Sequence, residues 1–430
     1  MEGERRVRVG LLGLGNVGQS VARVLEENSY WIERKLGARL ELKKVLVRDP
    51  HKQRPVPVDM ITTDARDIVA HPKIDIVVEL MGGLEPARSL IIQSLQAGQA
   101  VVTANKEVIA HAGAEIFQAA AVSNAQLAFE GSVAGGIPII EALKEALAAN
   151  RISCLMGIIN GTTNFILSKM AAEGVDFSTA LTEAQRLGYA EADPAADLEG
   201  HDAARKIAIL ASIAFETRVS DDAVYRQGIQ AVTADDIAYG RELGWTLKLL
   251  ALARRHSETV EVRVHPTFLP NDHPLASVHG VSNAVFVQGY PVGETMFYGP
   301  GAGGDATASA VLADMMMVAR RRLSGGKELG CTCFDQFPIL PIATVETEYY
   351  LRLEAADKPG VMAEIARLFG KNAISLNSVI QKRSIGSDAE IVLVTHRTPE
   401  GKLQNTVAAL NTLACVKAVR NVIRIERGQG

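Results

Sequence analysis

One short stretch near the start restricts what this chain can fold into more than any other. Val7, Val9, Leu11 and Leu12 make an apolar strand that runs straight into Gly13-Leu14-Gly15-Asn16-Val17-Gly18, and SVARVLEE behind it has helical spacing. Strand, glycine loop and helix in that order build one specific turn. Gly13 permits the tight bend, Gly15 lets the main chain approach a pyrophosphate, and Gly18 lets helix and strand pack closely, while the helix N-terminus favours an anion. Leu14, Asn16 and Val17 complete the loop as candidate cofactor contacts. A purely structural turn is the alternative, and the strand before and helix after weigh against it.

The same alternation continues downstream. Strands are predicted over 74–80, 100–103 and 127–129, with helices over 86–96 and 107–121, so the first 130 residues read as a parallel sheet wrapped by helices. The second strand, 40–47, ends in Arg48-Asp49, where an adenine ribose lies in such folds. An acid there suits a free 2'-hydroxyl and an arginine a 2'-phosphate; Arg48 comes first, which favours NADP and leaves NAD open. Thr103 and Lys106, in VVTANKE, fall at the carboxyl end of a strand, where these sheets bind ligands. A plain surface lysine at a helix start is the bland reading.

After Glu130 the small-residue stretch GSVAGGIPII suits a bent main chain. A carboxylate followed by open carbonyls can hold a hard monovalent cation, or the stretch is simply a hinge. A strand over 152–159 then leads into Asn160-Gly161-Thr162-Thr163-Asn164, a polar turn that caps a helix and can also hold a small polar substrate. Gly188 to Lys206 carries five acids, Glu191, Asp193, Asp197, Glu199 and Asp202. Asp202 and Lys206 are four apart in a helical pattern and share one face. Such a pair can orient the amine of an amino-acid substrate with the carboxylate and exchange a proton with its oxygen through the lysine. On spacing alone a solvated surface helix with an intrahelical ion pair is the more ordinary reading.

From Trp245 to Phe297 the pattern turns strand-like, fitting a second, mostly antiparallel sheet. Histidines such as His265 and His273 in this region lack tight ligand spacing. Gly299 to Gly304 is a second glycine loop ahead of a helix. The remainder, after an aperiodic linker, repeats strand, helix, strand, strand, helix, strand, a unit with no catalytic constellation and so a binding or regulatory module. The domain expectation is 1–130, then 131–322 with its helix 304–322 packing back on the first, a linker over 323–347, and 348–430.

Composition narrows the classes. A net charge of −4 over 430 residues argues against a nucleic-acid surface, and four scattered cysteines suit a reducing, cytoplasmic setting better than a disulfide framework. No apolar run reaches the roughly 18–20 residues a bilayer requires, and the N-terminus has no cleavable leader pattern. A soluble, cytoplasmic protein is expected.

GLGNVG, ELMGG from Glu79, TANK ending at Lys106, EGSVAGGIPII, NGTTN, GYAEADPAADLEGHDAARK and GPGAGG stand together in this sequence. Over essentially its full length the chain resembles the homoserine dehydrogenases that carry a C-terminal ACT domain. The resemblance implies an α/β protein: a Rossmann-type nucleotide-binding domain, an α+β catalytic and dimerisation domain, and a ferredoxin-like ACT domain. It implies reversible, NAD(P)H-dependent reduction of aspartate 4-semialdehyde to homoserine, on the way to threonine, methionine and isoleucine. By position, Lys206 and Lys106 are the implied catalytic lysines, the first for proton transfer and the second on the cofactor side. Glu191 and Asp202 would hold the substrate amine, with Gly161 and Thr162 near it and Asp197 supporting the lysines. Gly188 and Gly303 would touch the nicotinamide half. Glu130, with the carbonyls of Val133, Gly135 and Ile137, matches a structural sodium site. Asp357-Lys358-Pro359-Gly360, with Asn377, resembles an ACT effector loop, for which threonine is the natural ligand. A homodimer or homotetramer is implied, and a chain stopped near Leu340 is expected to keep its chemistry and lose its effector response. Two rivals are a different semialdehyde dehydrogenase on the same scaffold and a catalytically silent amino-acid sensor. NGTTN and GYAEADP oppose the first, and intact Lys106 and Lys206 the second.

Overall fold

The strand Arg6–Leu12 pairs in parallel with Arg39–Leu46 on one side and Ile76–Glu79 on the other. Strand order in this sheet is Ile61–Thr62, Arg39–Leu46, Arg6–Leu12, Ile76–Glu79, Ala100–Thr103, Leu127–Ala128. The order reverses beside Arg6–Leu12, so a crevice opens at its carboxyl end, where the glycine loop begins. The computed structural model describes residues 5–326 and 329–427. Residues 327 and 328, inside the predicted linker, lie outside the described ones.

The chain divides into two compact units. One comprises Met1–Leu155, Arg205–Asp222 and Asn283–Gln336, and the other Met156–Ala204, Ala223–Ser282 and Phe337–Gly430. In the first unit the parallel sheet is apolar throughout: Val9, Leu11, Val78 and Val102 are buried with Val21 and Leu25 of the helix Asn16–Glu27. The long helix Gly304–Ser324 adds Ala308, Val311, Met315 and Val318 to that same core. Its alanines and branched aliphatics supply a narrow face that sits close against helix Asn16–Glu27. The two-residue strand Ile61–Thr62 is too short to leave a pattern in the sequence, and it was not foreseen.

In the second unit the strands run Trp245–His256, Thr259–Pro270, Val416–Ile425, Glu346–Ala356, Asp388–Thr395, Leu376–Ile385. The last four, with helices Val361–Lys371 and Glu400–Leu410, are the β-α-β-β-α-β module read from the sequence. Its own core is Leu351, Leu353, Ile365, Phe369, Ile391 and Leu403. One feature was not legible: Val416–Ile425 pairs with Thr259–Pro270 through Thr267 with Arg424 and Phe268 with Ile425. The module therefore extends a sheet begun elsewhere in its unit. Phe268, fully buried, stacks edge-on with Tyr350 at 5.2 Å and tilts against Trp245 at 5.7 Å. Around this joint Arg352 donates to Asp236 at 2.6 Å and to Glu390 at 2.8 Å, and Asn421 donates to Asp236 at 2.8 Å. The segment after the linker is also held, since Val260 exchanges main-chain hydrogen bonds with Pro338 and Leu340. A stop near Leu340 thus removes four of these six strands and half of a buried charge network from this unit, which speaks against clean separability of the module.

Candidate active site

The glycine loop has the geometry its sequence asks for. At Gly13, φ is +100°, and a Cβ would lie 2.8 Å from the carbonyl oxygen of Leu80; at Gly18 it would lie 2.4 Å from that of Gly13. Gly15 faces open space. The helix Asn16–Glu27 starts without a side-chain cap, which leaves its first-turn N–H groups for an anionic ligand. These features fit a dinucleotide pyrophosphate. Arg48 is exposed two residues beyond the strand Arg39–Leu46, and the Asp49 carboxylate accepts from the N–H of His51.

Next to the loop, ELMGG and TANK are tied together. Glu79 is wholly buried and accepts from the Thr103 hydroxyl at 2.6 Å and the Met81 N–H at 2.7 Å. Burial pushes its carboxyl above the usual range, and these donors pull it back. Asn105 caps the helix Lys106–Ser123 through Val108 N–H and donates to the Gly83 carbonyl at 2.8 Å. Lys106 is thus the first residue of a capped helix. It lines a cavity of about 250 Å³ together with Val17, Gly82, Ala302, Thr307 and Lys206. Gly303, beside that wall, has φ +116° and opens the helix Gly304–Ser324. The Thr103 hydroxyl, given to Glu79, is spent inside the sheet.

Lys206, 8% exposed, stands on the helix His201–Ala214, which also carries the buried Asp202 four residues earlier. In the second unit Asp202 belongs to a carboxylate pair. Asn160 donates one amide group to both Asp197 at 2.7 Å and Asp202 at 3.0 Å, and Thr162 donates to Asp197 at 2.9 Å and to the Tyr189 carbonyl at 2.7 Å. Asn160 does more than the capping or substrate contact its NGTTN turn suggested. Its position before a helix suggested capping, and it does cap through Thr163 N–H at 3.0 Å, yet its amide also gathers two acids. Gly161 lets that helix begin close to Val281, whose carbonyl a Cβ would meet at 2.9 Å. Glu191 is exposed, and Gly188 ends the turn after Phe177–Arg186 at φ +76°.

Glu130 is buried, but its carboxylate accepts from the N–H groups of Ile140 at 2.9 Å and Glu141 at 2.7 Å. Its side chain therefore meets a helix start. Val133 and Ile137 are buried, with Ala134 and Gly135 at positive φ between them. Among the described residues no group of three or more His, Cys, Asp or Glu side chains is placed to hold a metal, and no helix is long and apolar enough to cross a membrane. In the C-terminal module Asp357 accepts from Ser384 at 2.6 Å and Gln381 at 3.3 Å, Gly360 opens the helix Val361–Lys371 at φ +90°, and Asn377 is exposed beside Ser378.

A parallel sheet with a glycine loop at its reversal point, and lysines lining a cavity beside that loop, define a nicotinamide-nucleotide-dependent oxidoreductase. Family models agree in three places: the homoserine dehydrogenase NAD-binding domain over 13–130, homoserine dehydrogenase over 138–316, and the ACT domain over 349–415. The chain is 45% identical to the homoserine dehydrogenase of Mycobacterium tuberculosis, with 98% of each covered, and 40% identical to that of Bacillus subtilis, with 98% of this chain and 99% of the other covered. The crystal structure of a homoserine dehydrogenase from Thiobacillus denitrificans superimposes with a TM-score of 0.94 at 45% identity, covering 99% of this chain and 100% of that one. A hyperthermophilic archaeal homoserine dehydrogenase mutant in complex with NADPH is similar over 73% of this chain and 97% of its own, at 28% identity and a TM-score of 0.62. The chain belongs to the homoserine dehydrogenase family, and it is an NAD(P)-dependent oxidoreductase with an ACT regulatory domain.

Proposed function

We propose that Lys206 delivers the proton to the aldehyde oxygen of aspartate 4-semialdehyde while Glu191 and Asp202 receive the substrate amine and Asp197 supports the lysines. The observation that carries this is the placement of Asp202 and Lys206 one turn apart on a single helix, with Lys206 reaching the cavity beside the glycine loop. A helical turn advances about 5.4 Å, a span suited to a short substrate with an amine at one end and an oxygen at the other. When bound, the nicotinamide supplies hydride chemistry. The residues of the chain do the rest. Negative charge grows on the substrate oxygen as it is reduced, and an ammonium held there both stabilises it and protonates it. Lys106 acts at the cofactor side of the same cavity. Asn160 holds Asp197 and Asp202 in register and so acts as a positioning residue, while Gly161 and Thr162 stand beside the substrate.

NADP is the favoured nucleotide because Arg48, exposed past the second strand, can meet a 2'-phosphate, and the NADPH complex of the archaeal relative is compatible with that. A sodium ion would be held by main-chain oxygens of Glu130, Val133, Gly135 and Ile137 in a structural role. Threonine is the effector we assign to Asp357, Gly360 and Asn377. Self-association is supported by the edge strand Gly293–Pro300, which exposes Met296 and Tyr298 beside Tyr290.

The test is Lys206→Ala. Turnover should fall by a factor on the order of 100 to 10,000 with nucleotide binding retained. Activity within a few-fold of the parent rejects the assignment. Titrating threonine during NADPH oxidation tests the effector separately, in the full chain and in Asp357→Ala. Inhibition that persists in the variant would move threonine to another site.

A further inference from the structure

A second cavity, of about 320 Å³, lies away from the glycine loop within the first unit. Its apolar wall is built by Ile109, Phe117 and Ile209, and its rim by Arg218, Cys331 and Cys333. The dehydrogenase reaction uses none of these groups. All four cysteines of the chain are thiols, but only Cys331 and Cys333 stand close in sequence, with Thr332 between them, and both are partly exposed. Their segment is held in place. Asp335 N–H donates to the Glu216 carbonyl at 2.9 Å, the Thr217 hydroxyl donates to the Asp335 carbonyl at 3.2 Å, and the Cys333 thiol points at the Ser212 carbonyl at 3.8 Å. That anchoring sets Arg218 Nη2 at 3.6 Å from the Cys331 sulfur.

We propose that Cys331 is a peroxide-reactive thiolate and Cys333 its resolving partner, making this rim a thiol–disulfide modification site. Three features support it. A guanidinium beside a sulfur favours the thiolate, which is the nucleophile. The neighbouring Cys333 thiol, with Arg218 adding its charge, holds Cys331 down at about 5 while Cys333 is raised. The cavity admits a small oxidant with ease, since one water-sized molecule needs only about 10–15 Å³. Two residues apart, the main chain also allows the Cα separation of about 4.4–6.8 Å that a disulfide requires.

The chemistry closes with hydrogen peroxide as oxidant. The Cys331 sulfur attacks one peroxide oxygen, the O–O bond breaks, and the departing hydroxide takes a proton to become water. Sulfur is oxidised by two electrons to the sulfenic acid and the peroxide is reduced. The Cys333 sulfur then attacks Cys331, an S–S bond forms, and the hydroxyl leaves with the Cys333 proton as a second water. Arg218 loses its anionic partner in the process.

Iodoacetamide labelling of the intact enzyme at pH 6, read by peptide mass spectrometry, comes first. At that pH the extra thiolate outweighs the lower nucleophilicity of an acidic thiol, so Cys331 should react roughly ten-fold faster than a model cysteine peptide. Hydrogen peroxide should then yield a Cys331–Cys333 disulfide peptide. In Cys333→Ser the reaction should stop at a sulfenic acid on Cys331 that dimedone traps. Arg218→Leu should slow labelling at pH 6 and leave it no slower than wild type at pH 9, where both thiols are ionised and the less acidic one is the better nucleophile, with Arg218→Lys restoring part of the pH 6 rate. The wild-type measurement stands even where a variant folds poorly. Labelling of Cys331 no faster than the model peptide, or peroxide oxidation without the Cys331–Cys333 bond, overturns the proposal.

Discussion

The sheet around Arg6–Leu12 and the sheet around Glu346–Ala356 are both built from short strand and helix units, but they are wired differently. The first is assembled from one continuous stretch, Arg6 to Ala128, and its inner strands bury only aliphatic side chains apart from Glu79 and Thr103 at strand ends. The second draws strands from both sides of the linker and buries charge between them. Arg263 and Arg254 share Glu426 at 3.1 and 2.8 Å, Arg424 holds Glu400 at 2.6 Å, and Arg352 spans Asp236 and Glu390. An apolar sheet tolerates exchange of one aliphatic for another of similar volume, whereas a buried ion network tolerates the loss of no partner. The nucleotide-binding sheet should therefore fail locally and the other cooperatively.

Cutting the chain near Leu340 is the strongest way to break this contrast. It exposes Phe268 and strands Arg263 and Arg254 without Glu426. We expect loss of the second unit's cooperative unfolding transition and loss of turnover, while the Gly13–Gly18 loop still binds nucleotide. A truncated chain with full turnover would show that the module is an appendage. Arg352→Ala isolates the charge network from the sheet. Leaving Asp236 buried without its cation, and Glu390 with Arg383 alone, should cost about 3–5 kcal/mol in denaturant-measured stability. A loss below about 1 kcal/mol would make the network ornamental.

Lys248 sharpens the comparison, because it is a buried cation whose amine, among the described residues, donates to neutral oxygens, the side-chain oxygen of Asn164 at 3.1 Å and the Val278 carbonyl. Burial lowers it to about 8. In the unfolded chain a lysine titrates near pH 10.4, so between about pH 8 and 10.4 the unfolded state binds more protons and stability should rise with pH. Below pH 8 the buried ammonium costs about 3 kcal/mol, a cost relieved as it deprotonates. In Lys248→Met that contribution to the slope should vanish, as seen by melting the two proteins across the window; equal slopes refute the assignment. The smallest effect is expected at Arg48→Ala, in the nucleotide sheet. Stability should not change, and KM should rise roughly ten-fold for NADP alone, as for one lost charge-assisted contact of about 1.4 kcal/mol. Equal losses for NADP and NAD would remove Arg48 from the discriminating position.

The parallel sheet, its glycine loop and Lys106 were legible in order because a β-α repeat writes its period and its turns into neighbouring residues. The Asp202 and Lys206 pair was legible for the same reason, since four residues are one helix turn. Asn160 was not. A residue that gathers Asp197 and Asp202 from a different segment leaves no local signal beyond its capping position. For Glu130 the sequence left a cation site and a hinge both open, and it carried no sign that the main-chain N–H groups of Ile140 and Glu141 meet its carboxylate.

By itself, then, the sequence determined the element types, the nucleotide loop, the module at the end of the chain and the family to which they belong, since each rests on spacing along the chain. Tertiary structure alone decided that Val416–Ile425 joins Thr259–Pro270, that Arg352 lies buried between Asp236 and Glu390, and that Cys331 sits beside Arg218. Those pairings join residues far apart in the chain, where periodicity carries no information, and they are chosen by burial of Phe268 and Tyr350 and by the need of each buried charge for a partner.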